Sequence, residues 1–485
     1  MSSSLKSFSL LLLFLGASCA EGAKSTEKNL VLIVVDTLRA DHMSLHGYER
    51  PTTPKLDAFA SERGVVFENA RSSASWTKAS VASIFTGLDP RQHRVQTHID
   101  FLHSSFRTLA QTFGEAGFQT HGIQSNLYLL SGFGFDKGFI DYEDSLSSAV
   151  EGGTIATHDT STGGAVNERA LAWLDERDAD QPFFLYVHHY EPHHEYLTEE
   201  ASFLPPLASA EDAARRLLLA EASMDELVGG VDRLTPADID YLAARYDSEI
   251  LFQDRLLGEL FDGLKERGLF ENSIIVVTSD HGEEFMEHGG VSHQNDKLFD
   301  ELLRVPLVIA SPEAVATRRV APVGLADLGS TLLELCGVES PDFPGSSFAG
   351  AIVAHSPPTG EVVSHGMLPK GSFGSEADSE LVSLVKGKWK LIQDRVSGQV
   401  MLFDLEADPG ERNDLSAADP NRVSELERSL VNYLERRGGV GGELPPEPEA
   451  VRRRRAALIE DNQDELIKLG YGGAVEEPVN EAGDD

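Results

Sequence analysis

Cysteine is almost absent from this sequence, which contains only Cys19 and Cys336 among its 485 residues. Cys19 lies in an N-terminal segment that we expect to be removed, so no intrachain disulfide is available to the remaining chain. Cys336 follows an apolar stretch at a predicted helix end, and we expect a small buried residue rather than a reactive thiol. Stability must therefore come from a hydrophobic core, and a chain of this length can bury a large one.

Basic residues are also scarce. The chain has 41 Lys and Arg against 79 Asp and Glu, which gives a formal net charge of -38. Such a surface repels nucleic acid and anionic membranes, so we exclude nucleic acid as a partner. An anionic substrate must then be attracted by a local cation, and this requirement favours a bound metal ion.

The apolar run at residues 8–17 is too short to cross a bilayer and is typical of the core of a secretory signal. We assign residues 1–24 to a signal peptide and expect an exported protein, either periplasmic or secreted. Cys19 offers an alternative, because a lipidated cysteine would anchor the protein at the cell surface. A membrane is an expected partner only in that case.

Short apolar runs alternate with amphipathic helical patterns from residue 29 to about 310. This alternation predicts an α/β fold with a mainly parallel sheet sandwiched by helices, which we assign to residues 25–356. Residues 357–442 change to antiparallel strand patterns followed by a helix, which predicts a smaller C-terminal α+β subdomain. We assign residues 443–485 to a linker, a charged helix and a disordered acidic tail. The main strands are predicted at residues 119–124, 183–188, 273–279 and 305–310. The main helix is predicted at residues 235–268. A helical cap over the site is expected at residues 197–234.

Two of the apolar runs end in hard metal ligands. Asp36 follows one run, and Asp280 and His281 follow the other. Ligands of open α/β sheets bind at the carboxyl ends of strands, so neighbouring strands would place these three side chains around one ion. Carboxylate oxygen and imidazole nitrogen suit a divalent metal such as Zn, Mn or Ca. A strand-end Asp alone is weak evidence, since it often caps the next helix, whereas the Asp-His-Gly turn is more specific.

Thr77 begins a predicted helix between the two ligand motifs. A threonine hydroxyl is inert until it is activated, and a coordinated metal or the positive end of a helix can activate it. Without the nearby ligand motifs, Thr77 would be interpreted as a simple helix cap. With those motifs, we predict that Thr77 is both the nucleophile and a metal ligand.

Histidines cluster in two further places, at residues 188–194 and at His293. They are suitable for a second metal ion, or for a general acid that protonates the leaving oxygen. We predict His193 as a catalytic residue and His189 and His293 as metal ligands. One metal site is expected, and a second remains open.

At these residues the chain resembles the sulfatase family of the alkaline phosphatase superfamily. The motifs that carry the resemblance, in chain order, are VVDTLRADH at 34–42, SWTKASVASIFTG at 75–87, YEPH at 190–193, SDHGE at 279–283, LRVPL at 303–307 and LFDLEADPGE at 402–411. The resemblance implies the family fold, a metal-dependent site and hydrolysis of ester bonds.

The chain departs from the family pattern at three positions. Thr77 occupies the place of the Cys or Ser that sulfatases convert to formylglycine, and threonine cannot undergo that conversion. Thr37 replaces the second Asp of an Asp-Asp pair, and residues 124–127 lack the Lys-x-His that grips sulfate. Similarity to threonine-dependent phosphodiesterases, phosphonate hydrolases and phosphoglycerol transferases implies that Thr77 attacks phosphorus. It also implies that Asn126 binds a non-bridging oxygen and that Lys297 lies near the leaving group.

These observations predict an exported, metal-dependent hydrolase that cleaves phosphoester, phosphodiester or sulfate-ester bonds. Phosphorus esters rank above sulfate esters because of the threonine. The expected substrate is a small anionic ester or an ester linked to a glycan or lipid. The alternatives are a phosphoglycerol-type headgroup transferase, a sulfate ester hydrolase proper, and a non-catalytic binding protein on the same fold.

Overall fold

The computed structural model describes residues 28–453 and 455. Within that range it leaves out 98–99, 147–161, 195, 197, 199, 221, 223, 294, 355, 359, 369, 371–377 and 439–442. The predicted signal peptide at 1–24 and the predicted acidic tail beyond 455 lie outside the described residues. Among the described residues, none of the helices has the length and apolar character that crossing a membrane requires.

The structure contains helices and strands in alternation through most of the chain. The strands are β1 (Asn29–Val35), β2 (Gly64–Phe67), β3 (Ala70–Arg71), β4 (Gln119–Gln124), β5 (Asp141–Glu143), β6 (Phe183–His189), β7 (Ser273–Ser279), β8 (Glu284–Phe285), β9 (Val291–Ser292), β10 (Arg304–Val305), β11 (Leu307–Ala310), β12 (Thr317–Arg319), β13 (Val323–Gly324), β14 (Glu361–Leu368), β15 (Ser379–Lys386), β16 (Trp389–Asp394) and β17 (Val400–Asp404). The α-helices are α1 (Pro54–Arg63), α2 (Thr77–Thr86), α3 (Pro90–His93), α4 (Leu109–Glu115), α5 (Gly163–Glu176), α6 (Ala210–Ala220), α7 (Met224–Gly229), α8 (Pro236–Glu266), α9 (Asp300–Leu303), α10 (Leu328–Leu335), α11 (Ala349–Val353) and α12 (Pro420–Arg436).

Eight strands form the main sheet in the order β12-β2-β11-β7-β1-β6-β4-β5. The strands from β7 to β5 are parallel, whereas β11 runs antiparallel to both of its neighbours. The predicted sheet is therefore confirmed as a large mixed sheet of mostly parallel strands. The predicted strand at 305–310 is divided at Pro306 into β10 and β11, which belong to different sheets.

The two faces of the main sheet pack against different helices. Because successive side chains of a strand point to opposite faces, Leu32 and Val34 of β1 pack with α2 and α10. Val31 and Ile33 pack with α1, α5 and α8 on the other face. Helix α8 begins where the sequence predicted, with the Thr235 side chain accepting a hydrogen bond from the Asp238 amide.

The C-terminal part of the chain forms a four-stranded antiparallel sheet, β14-β15-β16-β17. Helix α12 packs on it through Leu426 and Leu430, which meet Leu384 and Leu402 of the sheet. This arrangement agrees with the predicted α+β character of the region. The domain boundaries at 356 and 442 remain predictions.

The segment that follows α12 returns to the main domain. The Glu447 carboxylate accepts hydrogen bonds from the backbone N–H and the hydroxyl of Ser104, at 2.9 and 2.7 Å. The Arg455 guanidinium lies 4.5 Å from the centroid of the Phe101 ring. Part of the predicted linker and charged helix is therefore packed against the protein in the described residues.

Candidate active site

The carboxyl ends of β1 and β7 bring three predicted ligands together. Val35 and Ser279 are paired in the parallel register, so the residues that follow them lie side by side. Asp36, Asp280 and His281 are fully buried and form a group whose ligand atoms all lie within 4.8 Å of one another. The expectation that these two strands are neighbours is confirmed.

One oxygen of each aspartate is already engaged, and the other is free of protein donors. Asp280 Oδ1 accepts hydrogen bonds from the backbone N–H groups of Thr37 and His281, at 3.2 and 2.9 Å. Asp36 Oδ2 accepts a hydrogen bond from Asn126 Nδ2 at 2.6 Å. Asp36 Oδ1 and Asp280 Oδ2 are buried and receive none. Each lies 3.6 Å from His281 Nε2.

Thr77 is the first residue of α2, and its hydroxyl reaches this group. Its Oγ1 lies 3.1 Å from His281 Nε2. The opposite nitrogen, His281 Nδ1, lies 2.9 Å from the Gly282 carbonyl oxygen and must donate its proton there. In the neutral ring, Nε2 therefore carries a lone pair that faces Thr77. The amino end of α2 adds a positive partial charge beside the hydroxyl.

The donor geometry fits a divalent metal ion. A tetrahedral ion with bonds of about 2.0–2.2 Å separates its ligand atoms by about 3.3–3.6 Å. The distances from His281 Nε2 to the Thr77, Asp36 and Asp280 oxygens are 3.1, 3.6 and 3.6 Å. Burial raises the pKa of Asp36 well above its usual value, and burial followed by the Asp36 charge raises the pKa of Asp280. Two buried carboxylates this close need a cation to remain ionised.

His188, rather than His189, contacts the metal-ligand group. His188 Nε2 lies 3.2 Å from Asp36 Oδ2. His189 points to the other face of β6, where Nε2 lies 3.0 Å from Asn167 Oδ1 and Nδ1 lies 2.5 Å from Gln253 Nε2. Both of its ring nitrogens are occupied, so the prediction that His189 binds metal is corrected. Alternation along the strand separates the two rings.

His293 lies beside the group, and His193 lies beside His293. The ring centroid of His293 is 4.4 Å from that of His281 and 4.8 Å from that of His193. His193 Nδ1 donates to the His194 carbonyl oxygen, and His293 Nδ1 lies 3.2 Å from Glu283 Oε1. Burial lowers the pKa of His293 to about 3 and that of His193 well below its usual value. Both rings are therefore neutral near pH 7.

Glu283 was not singled out from the sequence, although it lies within the SDHGE motif. It is fully buried, and burial raises its pKa to about 8. Its side chain hydrogen-bonds to Tyr196 as well as contacting His293. The only sequence signal for Glu283 was its place two residues after His281, since its contacts depend on residues distant in the chain.

Two positions taken from the family resemblance each donate a hydrogen bond to a carboxylate. Asn126 contacts Asp36 through Nδ2, and its role as a substrate-binding residue remains a prediction. Lys297 Nζ donates to Glu284 Oε2 at 2.7 Å and to the His288 carbonyl oxygen at 3.1 Å. The Lys297 ammonium is therefore paired with Glu284, and its expected position beside the leaving group remains a prediction.

Thr37, in the position of the missing second Asp, has a φ of 54°. Such a value is rare for a β-branched residue and indicates strain. Tyr246 holds the backbone, because its hydroxyl donates to the Thr37 carbonyl oxygen at 2.6 Å and accepts from the Arg39 amide at 2.8 Å. Thr37 Oγ1 is buried without a hydrogen-bond partner. This strained turn directs the Thr37 N–H towards Asp280.

Comparisons with known proteins show which proteins this chain resembles. The model of the family described as Sulfatase matches residues 28–338. An arylsulfatase from Clostridium perfringens (strain 13 / Type A) is 25% identical over 473 residues, covering 84% of this chain and 95% of that protein. A solved structure in complex with its substrate D-glucosamine-2-N,6-O-disulfate has a TM-score of 0.69 at 19% identity and covers 84% of this chain and 98% of that one. The phosphonate monoester hydrolase of Agrobacterium radiobacter has a TM-score of 0.68 at 20% identity, with 84% and 96% covered.

Proposed function

This chain belongs to the sulfatase family of ester hydrolases, and from that premise we propose that it is an exported, metal-dependent enzyme with Thr77 as its nucleophile. The observation that carries the proposal is the 3.1 Å approach of Thr77 Oγ1 to His281 Nε2, beside the two free aspartate oxygens. Asp36, Asp280, His281 and Thr77 would hold the ion, and zinc or manganese suits this donor set. The bound ion would lower the pKa of the hydroxyl and so supply the nucleophile.

The proposed reaction has two displacements. Thr77 Oγ1 forms a bond to phosphorus while the bond from phosphorus to the alcohol oxygen breaks, and the electron pair leaves with that oxygen. The neutral ring of His193 or His293 accepts the proton that Thr77 gives up and passes it to the leaving oxygen. Water then attacks phosphorus and gives a proton to the same histidine, the bond to Thr77 Oγ1 breaks, and Oγ1 takes up that proton. A sulfur ester would follow the same sequence.

The charge balance favours a substrate with a single negative charge. A divalent ion neutralises the two aspartates, and burial keeps the pKa of His281 at about 4, so that ring stays neutral. Among the described residues, the salt-bridge partners of Asp36 and Asp280 are histidines, without a lysine or arginine. Phosphodiesters, phosphonate monoesters and sulfate monoesters carry one negative charge. A phosphate monoester carries nearly two negative charges at pH 7. The second charge would not be neutralised by a lysine or arginine paired with these aspartates.

Phosphorus esters rank first within this class because Thr77 cannot become formylglycine. The Agrobacterium structure belongs to a phosphonate monoester hydrolase, which supports a phosphorus ester. The arylsulfatase relative supports a sulfate ester instead. Export is proposed from the apolar run at residues 8–17. Detection of the mature protein outside the cytoplasm, with a trimmed N-terminus, would test it.

The first experiment compares three 4-nitrophenyl substrates with metal-stripped protein supplemented with Zn²⁺ or Mn²⁺: bis(4-nitrophenyl) phosphate, 4-nitrophenyl phosphate and 4-nitrophenyl sulfate. We expect kcat/KM for the diester to exceed that for the phosphate monoester by about tenfold or more, the equivalent of about 1.4 kcal/mol. Chelation should abolish turnover, and re-addition of metal should restore it.

Thr77→Ala should lower kcat on the diester by about 10³-fold or more, because the covalent step is lost. Thr86→Ala is a matched control in the same helix, since the Thr86 hydroxyl donates to the Ala82 carbonyl oxygen at 2.7 Å and takes no part in the site. Unchanged activity in Thr77→Ala would disprove the nucleophile assignment. Turnover of 4-nitrophenyl sulfate alone would show that the substrates are sulfate esters and not phosphorus esters. Transfer of the phosphoryl group to an added alcohol instead of water would indicate a transferase.

A further inference from the structure

Tyr186 and His188 occupy the same face of β6, two residues apart, and both side chains are fully buried. The Tyr186 hydroxyl lies 2.9 Å from His188 Nδ1, and His188 Nε2 lies 3.2 Å from Asp36 Oδ2. A hydrogen-bonded row therefore runs from the aromatic core beneath the sheet to a metal-ligand carboxylate. The proposed reaction uses neither Tyr186 nor His188.

The protons in this row have one consistent arrangement. Burial raises the pKa of Tyr186 well above its usual value, so the phenol keeps its proton. A neutral His188 ring carries one N–H. If Tyr186 donates to Nδ1, that N–H is at Nε2 and donates to Asp36. The opposite tautomer would turn a nitrogen lone pair towards the carboxylate, which is unfavourable.

The two carboxylate oxygens of Asp36 consequently differ in their hydrogen bonds. Oδ2 accepts a hydrogen bond from Asn126 Nδ2 at 2.6 Å and one from His188 Nε2 at 3.2 Å, whereas Oδ1 accepts none from the protein. Two donors at one oxygen prevent rotation of the carboxylate about its Cβ–Cγ bond. The free oxygen is the one that lies 3.6 Å from His281 Nε2, in the direction of the shared group.

We infer that His188, fixed by Tyr186, is a positioning residue that holds Asp36 so that Oδ1 is presented to the metal ion. The inference rests on the metal dependence of the proposed function. Residues that contact metal ligands without touching the metal orient those ligands, and their loss usually weakens metal binding by about 10–100-fold. His188 acts on a carboxylate ligand in this way.

The test is calorimetric titration of Mn²⁺ and of Zn²⁺ into the metal-free full chain. His188→Ala should weaken binding by about tenfold or more, and Tyr186→Phe should weaken it less, because the ring remains but its tautomer is no longer fixed. His188→Gln should recover part of the affinity, since its amide can donate to Asp36. The unfolding temperature of each metal-free variant is measured in parallel.

His189→Gln is the matched control, because it alters the next residue of the same buried strand on the opposite face. It is expected to lose stability without losing metal affinity. Equal metal affinities in the unaltered chain and in His188→Ala would overturn this inference but not the proposed metal dependence. Parallel losses of affinity and stability in both His188→Ala and His189→Gln would also overturn it, since they would reflect general damage to β6. Absence of metal binding in the unaltered chain would instead overturn the proposed metal dependence.

Discussion

His193 and His293 each have one ring nitrogen engaged by the protein, at the His194 carbonyl oxygen and at Glu283 respectively. The second nitrogen of each ring remains for proton transfer. Since the two ring centroids are 4.8 Å apart, either imidazole is in a position to serve the same leaving oxygen. Asp36 and Asp280, by contrast, have no proton-transfer role in the proposed reaction, because ionised carboxylates are required to hold the ion.

Replacement of His193 should therefore affect poor leaving groups most. We expect His193→Ala to lower kcat/KM for a phenyl ester by about 10²–10⁴-fold, because phenolate needs a proton as it leaves. For the corresponding 4-nitrophenyl ester the loss should be much smaller, since 4-nitrophenolate leaves without protonation. His293→Ala is measured in parallel on both esters. Equal losses on both esters would contradict a role for His193 as the acid.

Helix α8 is the element that joins the site to the predicted cap at 197–234. Tyr246 of α8 holds the strained Thr37 turn, and Glu249, one turn further, accepts a hydrogen bond from the Thr198 amide at 2.5 Å. Glu249 is 4% exposed. Burial raises its pKa from 4.5 to about 8, with a further contribution from Glu191 and an opposing one from Arg245. Helix α8 thus carries a buried carboxyl group, Glu249, whose protonated form is favoured in the folded protein at pH values below about 8.

The raised pKa of Glu249 predicts a pH-dependent stability. Its contribution is fully present below pH 4.5, where the acid is protonated in both the folded and unfolded states, and is lost as the pH rises through 8. Glu249→Gln carries no such proton, so it should match the unaltered chain near pH 4.5. At pH 9 its free energy of unfolding should be higher by an amount on the order of 2 kcal/mol.

Urea unfolding of both proteins across this pH range measures the effect. Glu259→Gln is the matched control, because Glu259 lies on the same helix and is exposed. It should show no pH-dependent difference from the unaltered chain. A Glu249→Gln variant that is less stable than the unaltered chain at pH 9 would show that the carboxylate is stabilised by its contacts.

At the scale of the whole molecule, a buried ion group joins the C-terminal sheet to the main domain. Lys390 of β16 is fully buried, and its Nζ lies 2.8 Å from Asp300 Oδ1 and 2.8 Å from Glu411 Oε1. Arg71 of β3 pairs with the other oxygen of Asp300 at 2.7 Å. The Lys390 ammonium and the Arg71 guanidinium therefore balance the charges of Asp300 and Glu411 at this junction.

Lys390→Ala should lower the free energy of unfolding by about 3–5 kcal/mol, because it leaves the buried Glu411 carboxyl without its cationic partner. Lys388→Ala, two residues away, removes a 39% exposed lysine that pairs with Asp404, and it should cost about 1 kcal/mol or less. Urea unfolding followed by circular dichroism compares the two. Similar losses in both variants would mean that the buried group adds nothing beyond a surface pair.

Much of the fold and part of the site could be predicted from local patterns. The apolar runs identified β4 and β7 at their observed bounds, and the helix prediction at 235–268 located the start of α8. Asp36 and Asp280 were recognisable because a hard ligand directly after a buried strand is a local signal. His188 and His189 could not be separated in this way, because both follow the same apolar run.

The amino-acid sequence by itself determined several of the strands, the helix that begins at Thr77, the candidate ligand types and the family, since each depends on neighbouring residues or on motif order. The tertiary structure decided which side chains meet. Strand order placed β1 between β7 and β6, and strand alternation turned His188 towards Asp36 and His189 away from it. Lys297 was paired with Glu284 by the local hairpin. These outcomes depend on register and on contacts between distant residues, which the chain acquires only when the sheet forms.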